Sequence, residues 1–463
     1  MRRLATSAAL LIAAVSGCTA GGDAEPPPAP VVYAYEQRES ESTPEGVVLV
    51  RDDKVVARIP GESPTFTADG KYLVSILPGK IAATDVASGK TYEHLLTFTP
   101  PKGCEVSASL VGDAVVLAAP TLRRLKLPEL TTVEPVSAQL PPRLPACVVG
   151  TVGTDLLVVV RNRQGPQLYR VGADGTTRRL GPDPLAPPID SGPDIIRFST
   201  TGPPRMAYVT SDGNLAEVVH VLDLDSGQDI VPEFAALGLP DRADTVNVRD
   251  VWWSASGTLY ATMQSQKSRQ EVAAVEQQLW QLNGNAWEPA YAMRWLSVRE
   301  LPDGRRLIIL AEESGDPAVG PGNLFEESPQ GLRQIAEAVY EVATPPLTTP
   351  PPAQPPALGL VWGPYQEGYQ AVEPKQIANG GSPTGAVSDI TWQNWGTDRA
   401  TGTGTGWVEG ETVAGGHEEK MTVVAFDLGT CGGRPAYRAV HWYPTSESYD
   451  PAHYIDACNG QFH

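Results

Sequence analysis

The sequence predicts an all-β protein: a β-propeller of about seven blades, within a range of six to eight, followed by a small β-sandwich or barrel domain. Three observations carry this expectation. A unit of four short strands with glycine turns recurs about every 40 to 50 residues through the first part of the chain. The stretch 344–357 reads TPPLTTPPPAQPPA, with seven prolines in fourteen residues, and divides that part from the C-terminal remainder of the chain. Beyond it, apolar and polar residues alternate at Met421–Leu428 and Ala436–Tyr443 as they do in half-buried strands.

The chain begins with Arg2 and Arg3, an apolar run from Leu4 to Val15 too short to span a bilayer, and small residues leading to Cys18. Residues 1–17 are therefore expected to be an export signal. Val15-Ser16-Gly17-Cys18 resembles the lipobox of bacterial lipoproteins. That resemblance implies cleavage before Cys18, diacylation of its thiol, and a stable anchor on the outer face of the cell membrane. The paired arginines leave Sec and twin-arginine export both open. Residues 18–30, small, polar and proline-rich, read as a flexible tether.

Residues 31–343 are assigned to the propeller. Ser63–Ile76 holds a strand, the Asp69-Gly70 turn and a second strand; Lys80–Val86, the Ser88-Gly89 turn and Thr91–Leu95 add two more. Comparable units start at Val106, Val148, Asp194, Val248 and Trp295. The strands at Val31–Tyr35, Gly46–Val50 and Lys54–Ile59 are expected to complete a seventh blade, with help from the end of the domain. These units resemble the loose repeats of WD40-like and TolB-like propellers, although the Trp-Asp dipeptide is missing, and the resemblance implies fold alone. Some helical character is expected at Ser268–Gln278 and Gly331–Glu341. The long insertions Pro232–Asp244 and Gln264–Glu276 are candidate binding loops.

Residues 344–357 are expected to form a semi-rigid proline-rich linker, and 358–463 a small domain. The latter holds five of the ten tryptophans, and its Trp392-Gln-Asn-Trp395-Gly396 and Ala400–Gly406 resemble a β-rich domain recurrent in secreted actinobacterial proteins. Trp407 and Trp442 fit a core; Trp395, beside a turn glycine, is the candidate glycan contact. With Cys18 assigned to lipid, four of the five cysteines remain, as two local pairs. Cys104 and Cys147 occupy equivalent places on neighbouring units, and Cys431 and Cys458 close the tail; each pair is a candidate disulfide.

The net charge of −19 becomes about −21 once Arg2 and Arg3 leave, which repels nucleic acid and anionic headgroups. Nucleic acid is excluded as a partner. No catalytic motif survives inspection. Gly89-Lys90-Thr91 lacks the first glycine of a phosphate loop, and His417-Glu418 lacks the second histidine of a zinc protease, where Met421 stands. Neither Gly-x-Ser-x-Gly nor Cys-x-x-Cys occurs. No cofactor is expected. Asp223, Asp225 and Asp229 offer spaced oxygen ligands for calcium, but such aspartates commonly bound a hairpin turn. His417, His441, His453 and His463 lack paired metal spacing.

The sequence thus points to a monomeric, lipid-anchored envelope protein with a non-catalytic propeller that binds a protein or glycan partner. Two alternatives stand beside it. One is a propeller hydrolase or lyase acting on wall polysaccharide or peptide, which requires acids converging on the central channel. The other makes the tail a glycan-binding module and the propeller its spacer.

Overall fold

The structure is a computed structural model that describes residues 30–463 except 38–45, 68, 78, 97–107, 112–113, 118–121, 134–137, 142–145, 186–194, 200, 212–216, 234–244, 267–275, 292–294, 312–320, 348–353, 363–365, 381–382 and 409–414. The signal, Cys18, Cys104 and nearly all of both candidate binding loops lie outside the described residues. From Val31 onward the chain forms one compact unit.

Five four-stranded antiparallel sheets follow one another as blades, with innermost strands at Glu62–Phe66, Ala108–Val111, Ala146–Val152, Ile196–Phe198 and Thr245–Trp253. A seven-stranded sheet supplies two more. Trp295–Glu300, Arg306–Ala311, Gly322–Ser328 and the first part of Gly331–Ala343 form the sixth blade. The second part of Gly331–Ala343 then pairs with Val32–Gln37, which continues into Gly46–Arg51 and Lys54–Ile59 as the seventh. The ring is closed by strands from both ends of the propeller, as the sequence pattern predicts.

The core gives an independent reading of seven. Each pair of neighbouring blades encloses its own apolar cluster, from Val32, Leu49 and Leu73 between the seventh and first to Tyr33, Leu307 and Leu324 between the sixth and seventh. Alternation explains this: Val32 and Ala34 face one neighbour while Tyr33 and Tyr35 face the other, so both faces of a blade are buried. Turns repeat as well. At Thr67–Gly70, Ser254–Gly257 and Leu301–Gly304 the glycine N–H donates to the carbonyl three residues back, and each glycine has φ between 67° and 84°, where a side chain is strained.

Gly331–Ala343 is a strand, not a helix; of Ser268–Gln278, residues 268–275 lie outside the described residues and 276–278 begin the strand Glu276–Asn283. The helical reading of the first rests on apolar residues at Leu332, Ile335, Ala336 and Val339. Ladder partners on two different blades override that local preference. At Ala338, φ of 55° marks where the strand leaves one blade for the next.

The tail is one eight-stranded sheet. Its path runs Ala357–Leu358, Arg434–Pro444, His417–Cys431, Arg399–Val408, Ala386–Gln393, Ile377–Asn379 and Gln366–Glu367, with Ile455–Asp456 also on Arg434–Pro444. Its core holds Tyr369, Ile390, Val423, Tyr437 and Val440.

The proline-rich segment does not hold this tail apart. Leu360, Cys431 and Ala436 share a buried cluster with Trp252, Tyr260 and Trp295 of the fifth and sixth blades. The turn Cys431–Arg434 is the docking element: a Cβ on Gly432 would stand 2.9 Å from the Trp295 ring, and one on Gly433 2.5 Å from the Tyr260 hydroxyl. Only glycine allows so close an approach. Trp295 is 1% exposed, and burying a side chain of that kind contributes about 2–3 kcal/mol.

Candidate functional site

The innermost strands of the fourth to seventh blades converge on a cavity of about 340 Å³ in the central channel. Ile195 and Arg197 come from the fourth blade, Arg249 and Asp250 from the fifth, Leu296, Ser297 and Arg299 from the sixth, and Glu36, Tyr340 and Glu341 from the seventh. Local irregularity brings some of them there. Arg249 and Leu296 are the extra residues of β-bulges in their strands, and a bulge re-aims side chains that regular alternation sends apart.

Asp250 is the hub. Its Oδ2 accepts hydrogen bonds from Ser297 Oγ at 2.8 Å and Arg299 Nη1 at 2.8 Å, while Oδ1 lies 3.2 Å from Arg197 Nη2. Burial pushes its carboxyl pKa up, but the Arg299 and Arg197 guanidinium groups and the Ser297 hydroxyl outweigh that and hold it below the usual carboxylate range. Arg197 Nη2 also lies 3.8 Å from Glu341 Oε1, so the fourth blade reaches the seventh. Burial lowers the Arg197 pKa, and Asp250 and Glu341 more than restore it.

Glu36 and Glu341 are register partners on adjacent strands, and both line the cavity. Glu36 is 7% exposed, and its Oε2 accepts the Ser63 N–H at 3.1 Å. Acids do converge on the channel, as an enzyme requires, but three guanidinium groups stand among them. The arrangement is suited to recognising a charged, polar surface. It keeps Asp250 ionised near neutral pH and so unfit to deliver a proton there.

None of these residues stands out in the sequence, because they are spread over four blades. The repeat itself is the available signal: Arg197, Asp250, Ser297 and Glu341 recur about once per blade and meet at one level of the ring.

The residues that do stand out in the sequence lie elsewhere. Cys431 and Cys458 are joined by a disulfide, Cα to Cα 5.7 Å. Cys147 is buried and disulfide-bonded. Trp395 is half-buried, donates its indole N–H to the Pro356 carbonyl at 2.9 Å, and packs edge-on against Trp392 and Tyr437. Trp442 is partly buried against the tail core. The three aspartates Asp223, Asp225 and Asp229 each have separate partners. Asp223 accepts the Ser226 N–H in a turn that repeats Asp85 and Ser88, Asp225 pairs with Arg170, and Asp229 binds His220 and Tyr208. Among the described residues no group of three or more metal-ligating side chains is assembled, and no helix is long and apolar enough to cross a membrane.

No protein-family model matches the chain, and no curated protein matches it in sequence. Among solved structures it is similar to the β-propeller domain of the Trilobed protease from Pyrococcus furiosus, at 12% identity and TM-score 0.42 over 66% of this chain and 95% of that one. It is also similar to the dihydro-heme d1 dehydrogenase NirN in complex with DHE, at 13% identity and TM-score 0.41 over 67% and 73%. A third is TolB from Acinetobacter baumannii, at 16% identity and TM-score 0.35 over 57% and 64%.

Proposed function

We propose that the chain is an extracytoplasmic lipoprotein, anchored through Cys18, whose propeller binds a partner at the channel mouth without transforming it. The observation that carries this reading is the placement of Asp250, a buried carboxylate shared between Arg197 and Arg299 and engaged by both. Guanidinium groups from the fourth, fifth and sixth blades and carboxylates from the fifth and seventh line the opening, which selects partners by charge pattern. Of the two partner classes, a lining that holds charges of both signs favours a protein segment carrying both signs over a glycan. The test is cross-linking in intact envelope with the full-length chain. Arg249→Glu is expected to weaken the cross-link to the partner at an unchanged thermal midpoint; an unchanged cross-link pattern refutes the channel as the binding surface. A Cys18→Ser protein is expected to leave the membrane fraction, and one that still partitions with membranes refutes the anchor.

A second reading has one observation in its favour. Glu36 and Glu341 are register partners on adjacent strands and both line the cavity, and retaining glycoside hydrolases act through a pair of carboxyl groups. It predicts release of reducing ends from cell-wall polysaccharide that Glu341→Gln abolishes; wild-type protein that releases none ends it.

A further inference from the structure

The tail's sheet has a second face, opposite its core. Met421, Val423 and Ala425 point into the core, so their neighbours in the strand His417–Cys431 point outward. Register then sets Thr391, Thr403, Thr422 and Tyr443 in one row across four strands, with Thr405 and Lys420 beside it. Thr391, Thr403, Thr405 and Lys420, with Asp389, Glu418 and Glu419, border an open groove of about 520 Å³, and Thr422 and Tyr443 continue the row beyond it. Three strands at a spacing of about 4.8 Å give it a floor of about 10 Å, room for about two sugar rings.

We propose that this groove binds a neutral polysaccharide. Three features of the surface select that ligand. A row of hydroxyl groups flanked by the carboxylates of Asp389 and Glu418 and the ammonium of Lys420 matches the dense hydroxyl pattern of a sugar chain, each donor meeting an acceptor. Beyond Thr422 the row ends in aromatic groups: Tyr443 lies against His441 and Tyr449, with ring centroids 5.4 and 6.0 Å away, and Arg399 stacks over Tyr449 at 4.6 Å. Tyr443 is partly exposed, and a ring of that kind receives the apolar C–H face of a pyranose. The charge excludes acidic polymers, since the groove itself is net negative and the chain carries −19. A protein partner requires an apolar centre, and none of the exposed large apolar side chains lies in the groove.

Position supports the assignment. Lys420 and the docked turn at Cys431 occupy opposite ends of one strand, about 35 Å apart at 3.3 Å per residue, so docking on the propeller leaves the groove open. The surface is separate from the channel mouth, and either can fail without the other.

Affinity electrophoresis of residues 31–463 through gels containing soluble dextran, laminarin, glucomannan or arabinogalactan tests the proposal, with polygalacturonate as the acidic control. At least one neutral polymer is expected to retard the protein, and polygalacturonate is not. Thr403→Arg, which fills the row, and Tyr443→Ala, which removes its aromatic end, are each expected to weaken retardation at least tenfold at an unchanged thermal midpoint. Thr403→Arg stands alone if Tyr443→Ala fails to fold. No retardation by any neutral polymer, retardation that survives Thr403→Arg, or retardation by polygalacturonate alone overturns the proposal.

Discussion

At Asp250 burial and charge pull in opposite directions, and the two guanidinium groups win. Removing the carboxylate charge by Asp250→Asn leaves Arg197 and Arg299 facing each other without their shared counter-charge, a loss of about 3 kcal/mol. The pH dependence has a definite sign. Because the folded pKa is depressed, the contribution of Asp250 is complete above its unfolded value near 4 and disappears as the pH falls through the folded one. Urea unfolding at pH 7 and pH 3 checks this: wild-type protein loses stability across the interval, and Asp250→Asn loses measurably less. Equal losses in the two proteins rule out the arginine pairing as the source.

At the scale of the element, Gly331–Ala343 is the strand on which ring closure depends, and Ala338 is where it changes blades. An L-residue at φ of 55° carries a strain of about 1 kcal/mol that a β-branched side chain sharply increases. Ala338→Gly is therefore expected to leave the thermal midpoint near that of wild type, and Ala338→Val to lower it by several degrees. Thermal melts monitored by circular dichroism decide this, and a midpoint for Ala338→Val as high as for Ala338→Gly rejects the strain. The strand also marks how far sequence reading reaches. Units headed by Asp69-Gly70 or Asp303-Gly304 declare themselves because the turn chemistry is local, and so do the three strands that begin the closing blade. A strand whose two halves serve different partners declares nothing local, and its apolar spacing imitates a helix. The channel residues are hidden for a related reason: Asp250 acquires meaning only beside Arg197 and Ser297, each about one blade away.

At the scale of the whole molecule, the propeller and tail are joined by a buried polar network as well as by the apolar cluster around Trp295. Glu327, 1% exposed, pairs with Arg306, lies 3.3 Å from Arg434 of the tail and accepts a hydrogen bond from Gln370 at 2.9 Å. Burial raises its pKa, but Arg306 and Arg434 outweigh that and keep it low. Arg306 also donates to the Gly432 carbonyl, so the docked turn is held by charge and by shape. Calorimetry of residues 31–463 is expected to record one cooperative transition. Gly432→Leu, which drives a side chain into the Trp295 ring from a left-handed backbone, is expected to split it in two. Two transitions in the wild-type protein dismiss the coupling. The double glycine at 432–433 is readable as a turn, but nothing near it in sequence names Trp295 or Glu327 as its destination.

The closing blade has a mechanical consequence. Val32–Gln37 is not an edge strand, because it lies between Gly331–Ala343 on one side and Gly46–Arg51 on the other. A force entering the fold at Val31 pulls along that strand and must shear two hydrogen-bonded ladders at once, where an edge strand peels away one bond at a time. Under the proposed anchor at Cys18, tension would enter at this end, where two ladders hold the strand in place of one.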